Sequence, residues 1–86
     1  MAGCRIEFRR SAEKDLRRVP KSLLSRIASE IDALADNPRH TGAARLAGRR
    51  DRFRVRIGDW RILYAIDDSV RTVIVHNVKH RREAYR

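Results

Sequence analysis

Arg54, Arg56 and Arg61 are spaced to bring three guanidinium groups onto one side of a β-hairpin. In Phe53-Arg54-Val55-Arg56-Ile57-Gly58-Asp59-Trp60-Arg61-Ile62-Leu63-Tyr64, apolar residues alternate with arginines, Gly58-Asp59 is a two-residue turn signal, and an apolar, aromatic run follows. A loop of that length sets Ile57 opposite Trp60, Arg56 opposite Arg61, Val55 opposite Ile62 and Phe53 opposite Tyr64. Apolar side chains then share one face, and Arg54, Arg56 and Arg61 share the other. Arginines directly across from each other repel and weaken a sheet by about a few tenths of a kcal/mol. The simplest compensation is a bound polyanion. The pattern therefore predicts a phosphate-binding sheet surface.

The charge of the whole chain agrees. Its 86 residues hold 21 Lys+Arg against 11 Asp+Glu, a net charge of +10. Residues 1 to 38 carry 8 basic and 6 acidic groups, whereas residues 39 to 86 carry 13 and 5, so the surplus belongs to the predicted sheet and the tail. Such a bias favours a nucleic acid, an anionic membrane or an acidic protein, and the first is the usual meaning of a strongly basic domain. A merely solubilising surface has no need to concentrate its excess on two strands and a tail. The length fits one domain, residues 1–86, with a modest core. Cys4 is the single cysteine, which excludes an intrachain disulfide and points to a reducing cytoplasm. No signal-peptide pattern precedes Arg5, and no apolar run approaches the roughly 18 residues of a membrane span. A soluble, cytoplasmic protein without membrane partners is expected. Neither a Cys/His or carboxylate cluster suited to a metal nor a glycine-rich phosphate loop is present, so no cofactor is expected.

The elements that must position the arginines read as β-α-α-β-β-β. Ile6-Glu7-Phe8 alternates as a short strand, and Ser11 is a plausible N-cap for a helix with Ala12, Leu16 and Val19 inward. Pro20 separates it from a second helix, where Leu23, Leu24, Ile27, Ile31, Leu34 and Ala35 recur at three- and four-residue intervals up to Asp36-Asn37-Pro38. Residues 39 to 50 read as a basic loop packed loosely over the sheet, with Leu46 as its anchor. After the hairpin, Asp67-Asp68-Ser69 marks a turn, and residues 70 to 78, rich in β-branched side chains, a fourth strand. The expected fold is α+β: a small, antiparallel-rich twisted sheet with a two-helix hairpin on its apolar face.

This order of elements carries a family resemblance. Leu46-Ala47-Gly48 before the hairpin, the Gly-Asp-aromatic-Arg hairpin itself, the two-acid turn, and Val78-Lys79-His80-Arg81 ending in Tyr85 together resemble the RelE/ParE superfamily of toxins of type II toxin-antitoxin systems. The likeness covers nearly the whole chain, and Ser11-Ala12-Glu13-Lys14-Asp15-Leu16 and Asn37-Pro38 are similar too. In the RelE branch it implies a ribosome-dependent endoribonuclease that cuts mRNA. In the ParE branch it implies a non-catalytic inhibitor of DNA gyrase. Either branch implies a cognate antitoxin, and the charge of this chain suits an acidic, partly disordered one that wraps the basic surface.

By that resemblance the family's basic strand positions fall on Arg54 and Arg56, its hairpin arginine on Arg61, its later arginine on Arg81 and its C-terminal tyrosine on Tyr85. Metal-free RNA cleavage needs a base for the ribose 2′-OH, cations for the phosphorane-like transition state and an acid for the departing 5′ oxygen. Arg61 and Arg81 would hold the scissile phosphate, since a guanidinium fork matches its oxygens and stays charged. Tyr85 would stack on a base or move a proton. His80 is the better general base on chemistry alone, since an imidazole is the usual proton-transfer group near neutral pH, and the choice between the two stays open. Arg52 and Arg82 extend the phosphate-binding set, although Arg82 reads equally as a basic tail. Some relatives carry lysines where Arg54 and Arg56 stand, and an arginine gives up its proton far less readily, so these two suit phosphate clamping rather than proton transfer. As plainer alternatives, Arg54 and Arg56 fit the solvent face of an amphipathic strand, His76 a packed strand residue, His40 a loop, and Trp60 and Tyr64 the core.

Overall fold

A computed structural model describes residues 3–40, 42–46, 48 and 51–84. Their elements run β1 (Arg5–Phe8), α1 (Arg10–Leu16), α2 (Lys21–Asp36), β2 (Ala43–Arg45), β3 (Arg52–Ile57), β4 (Trp60–Asp67), β5 (Thr72–His80) and α3 (Arg81–Ala84). The described strands form one five-stranded sheet in the order β1-β5-β4-β3-β2. β1 runs parallel to β5, and the other neighbours are antiparallel. This is the expected α+β architecture, with one strand and one helical turn added.

The β3–β4 hairpin forms in the register its two-residue loop demands: Ile57 faces Trp60, Arg56 faces Arg61, Val55 faces Ile62 and Phe53 faces Tyr64. Gly58 supplies the turn with φ 58°, a value glycine adopts without a Cβ penalty. On one face, Phe53, Val55, Ile57, Trp60, Ile62 and Tyr64 join Val73, Val75 and Val78 of β5 in the core. Ile27, Ile31 and Leu34, spaced by four and three residues along α2, complete it from above, with Ala12 and Val19. α2 ends at Asp36, ahead of Pro38, as its periodicity requires.

Three local expectations are corrected. The basic stretch of residues 39 to 50 is not all loop, because Ala43, Ala44 and Arg45 pair with Val55, Arg54 and Phe53 of β3. Pairing there satisfies backbone groups along an edge of β3 that would otherwise stay open. Ser11 is not an N-cap: α1 begins at Arg10 after Arg9, without a side-chain cap, and the Ser11 hydroxyl donates to the His76 carbonyl at 2.7 Å. The last strand starts at Thr72 rather than at position 70. Val70 is 60% exposed, and Arg71 sits at φ 48°, inside a turn that Asp67 closes by accepting bonds from the Ser69 amide and hydroxyl.

The connector is fixed at both sides of the sheet end. The Arg39 guanidinium grips the Asp68 carboxylate through two bonds of 3.1 and 2.8 Å, holding that carboxyl below its usual range, and also lies over the Phe53 ring. Beneath it, the Tyr64 hydroxyl donates to the Pro38 carbonyl at 2.6 Å, and burial pushes the phenol from 10.0 up to about 12. The neutral phenol therefore contributes stability that is whole below pH 10.0 and is lost as pH climbs towards 12. Tyr64→Phe is expected to lower unfolding free energy at neutral pH by about 1 kcal/mol, and to flatten that alkaline decline. Denaturant titrations of both proteins across the alkaline range check it.

Candidate anion-binding site

β3 sends Arg54 and Arg56, and β4 sends Arg61, to the face opposite the core. With Gly42 and Ala44 they line a hollow of about 150 Å³. Ala44 lies opposite Arg54, so the small residues of β2 form a wall without competing for the space. Arg54 and Arg56 are exposed, as alternation predicts, but Arg61 is only 7% exposed. Its burial follows from the register: Arg56 stands opposite it on one side, and Lys79 of β5 on the other. Three cationic residues thus form a row across the three central strands, which lie about 5 Å apart.

Sequence assigns no site role to Lys79 or to the acid that holds it. Asp15 of α1 is 5% exposed and accepts from the Val78 amide at 2.9 Å, the Asn77 side chain at 3.2 Å and the Lys79 ammonium at 3.0 Å. β1 pairs with β5 only as far as Val75, so among the described residues the edge of β5 beyond it has no strand partner. α1 takes over that edge: Ser11 bonds the His76 carbonyl, and Asp15, four residues on and therefore on the same helix face, bonds the Val78 amide. A Ser/Asp pair at that spacing beside Ala12 and Leu16 was the available signal.

The C-terminal candidates occupy different places. Arg81 stands at the turn end of the hairpin, its amide donating to the Asp59 carbonyl at 2.7 Å and its guanidinium 3.7 Å from the Asp59 carboxylate. His80 lies opposite Trp60, on the apolar side of the sheet, with the two rings edge to face at 5.4 Å. Its Nδ1 accepts from the Arg82 amide at 3.3 Å, so a neutral ring carries its proton on Nε2. The structure does not bring His80 into the arginine hollow. Arg82 is exposed, Arg52 opens β3 opposite Ala65, and Tyr85 lies outside the described residues.

His76 occupies a bulge. Leu63 pairs with Asn77 but Tyr64 with Val75, which leaves His76 as the extra residue on β5. Burial first, then the charges of Arg52 and Arg9, hold its imidazole below the ordinary 6.5, against a smaller upward pull from Asp51.

Comparison with known proteins places this chain among relatives. The family model for the ParE toxin of type II toxin-antitoxin systems, parDE, matches residues 6–85. Toxin RelG of Mycobacterium tuberculosis is 30% identical over 82 residues, 94% of each chain. Among solved structures, the toxin-antitoxin complex RelBE2 from Mycobacterium tuberculosis matches with a TM-score of 0.80 and 28% identity, over 91% of this chain and 98% of that one. The archaeal RelE-RelB complex from Pyrococcus horikoshii OT3 matches with a TM-score of 0.79 and 25% identity, over 92% and 96%.

The His76 environment gives a direct check of the charge on this face. An NMR titration of the folded chain is expected to show a His76 midpoint below 6.5, with Arg52→Ala moving it upward. Because the folded value is depressed, the neutral ring contributes stability above pH 6.5 that is lost as pH falls below it. A midpoint at or above 6.5 contradicts the assignment.

Proposed function

Because the chain belongs to the RelE/ParE superfamily of type II toxin-antitoxin toxins, we propose that it is a metal-independent endoribonuclease that cuts mRNA on the ribosome. The supporting observation is the convergence of Arg54, Arg56 and Arg61 from two strands on one hollow. In the reaction the ribose 2′ oxygen loses its proton to a base and attacks the adjacent phosphorus. The bond from phosphorus to the 5′ oxygen breaks, leaving a 2′,3′-cyclic phosphate, and the departing oxygen takes up a proton. Negative charge grows on the non-bridging oxygens, and guanidinium groups already in place stabilise it without reorganising. Arg61, the most buried of the three, carries the largest share because water screens it least. Arg81 closes on the same phosphate from the turn end, and Arg52 and Arg82 hold flanking phosphates. The proton-transfer group comes from the C-terminal segment: His80 lies on the apolar side of the sheet against Trp60, so the role falls to Tyr85. A cytoplasmic location follows from the ribosomal substrate.

The partner in this reading is a cognate antitoxin, acidic and partly disordered, that wraps the basic face. The matched toxin-antitoxin complex RelBE2 and the matched RelE-RelB complex support it. A second reading is favoured by the ParE description of the matching family model: a non-catalytic inhibitor of DNA gyrase that uses the same cations to grip protein or DNA.

Primer extension on cellular mRNA after induction separates the two. The nuclease reading expects ribosome-dependent cuts that fall by about 10²- to 10³-fold in Arg61→Ala, the usual cost of removing one preorganised transition-state donor. Intact message accompanied by DNA damage contradicts it and supports gyrase inhibition.

A further inference from the structure

The row of Arg56, Arg61 and Lys79 does not end at the hairpin. We propose that Lys79 is a further phosphate-binding residue of the anion site and that Asp15 is its positioning residue. The proposal rests on the nucleic-acid reading above and adds a contact on β5, beyond the hollow lined by β2, β3 and β4.

Three observations carry it. Lys79 lies directly across from Arg61, which places it on the arginine face. Its side chain is 30% exposed, so part of it meets solvent, yet it lacks the freedom of a surface lysine. An ammonium has three donors; the Asp15 bond takes one, and two remain for other acceptors. The acid is itself immobile, because the Val78 amide and the Asn77 side chain also bind it, and the Ser11 bond to His76 ties its helix to the same strand. Asp15 thereby directs a long, rotamer-rich side chain before any RNA arrives, removing part of the ordering cost of binding. Its negative charge also eases the repulsion among three cations in a row.

A plainer role would have Lys79 only neutralise a buried acid that secures the strand edge. The two roles differ in RNA binding. Affinity of the purified chain for a short single-stranded RNA oligonucleotide is measured across a series of salt concentrations. Lys79→Met is expected to weaken binding and to reduce the slope of log K against log salt by about 0.7, the value for one lost phosphate contact to a single strand, while Lys79→Arg keeps the slope. Asp15→Asn retains an oxygen for the Val78 amide but no charge for the ammonium. It raises the net charge by one, so charge alone would tighten binding, whereas loss of positioning weakens it and lowers the slope as Lys79→Met does. The double variant should then be no weaker than Lys79→Met. Far-UV circular dichroism verifies folding; should Asp15→Asn not fold, Lys79→Met and Lys79→Arg carry the test. An unchanged slope in Lys79→Met, or tighter binding by folded Asp15→Asn, overturns the proposal. An unaltered chain that binds the oligonucleotide but cuts no message removes the nuclease reading and leaves this one standing. No binding by the unaltered chain overturns it.

Discussion

Repulsion between like charges across the middle of a sheet is the constraint around which this structure is arranged. Arg56 faces Arg61, and Arg61 faces Lys79, on three adjacent strands. Nothing in strand pairing favours that arrangement. It persists because the opposite face of the same strands buries Val55, Ile57, Ile62 and Val78 beneath α2, and each such side chain contributes on the order of 1.5–3 kcal/mol on leaving water. A one-residue slip would relieve the arginines but would turn that apolar set to solvent. Hydrophobic burial, the larger effect by several-fold, thus sets the register, and the register holds the cations together.

The same constraint explains the fittings at the margins. The open end of β5 is finished by a helix rather than a strand, and the helix brings a carboxylate to the end of the cationic row. On the opposite side of the sheet, β2 is short and contributes Ala44 against Arg54, keeping the hollow open where a larger residue would fill it. The Arg39 grip on Asp68 and the Tyr64 bond to Pro38 anchor the connector that leads into β2.

How much of this was legible in the sequence depended on the range of the interaction. A two-residue loop fixes register locally, so Arg56 opposite Arg61 could be read directly, as could α2 from its three- and four-residue spacing. β2 escaped because three residues, two of them alanine, carry no alternation. Asp15 escaped because its partners lie 62 to 64 residues away, where no local rule reaches. Lys79 required counting across the β4–β5 pair, and the His76 bulge shifts that count by one. The shift did leave a trace: Val73 and Val75 face the core at odd positions, and Val78 at an even one. The face of Arg61 follows from the hairpin register, but its burial does not, since burial by flanking cations depends on Lys79. The terminal candidates separated for a similar reason, with His80 inheriting the face of Trp60.

In the proposed reading, cationic repulsion held in the folded sheet is relieved by a bound polyanion. Thermal unfolding of Arg56→Gln against the unaltered chain tests it most directly, at low ionic strength and again with added polyphosphate. Relief of a few tenths of a kcal/mol should raise the melting temperature of the variant by about 1–3 °C at low ionic strength. Polyphosphate should then stabilise the unaltered chain more than the variant and close the gap. A variant that melts lower than the unaltered chain at low ionic strength, or a gap that polyphosphate leaves untouched, contradicts the account.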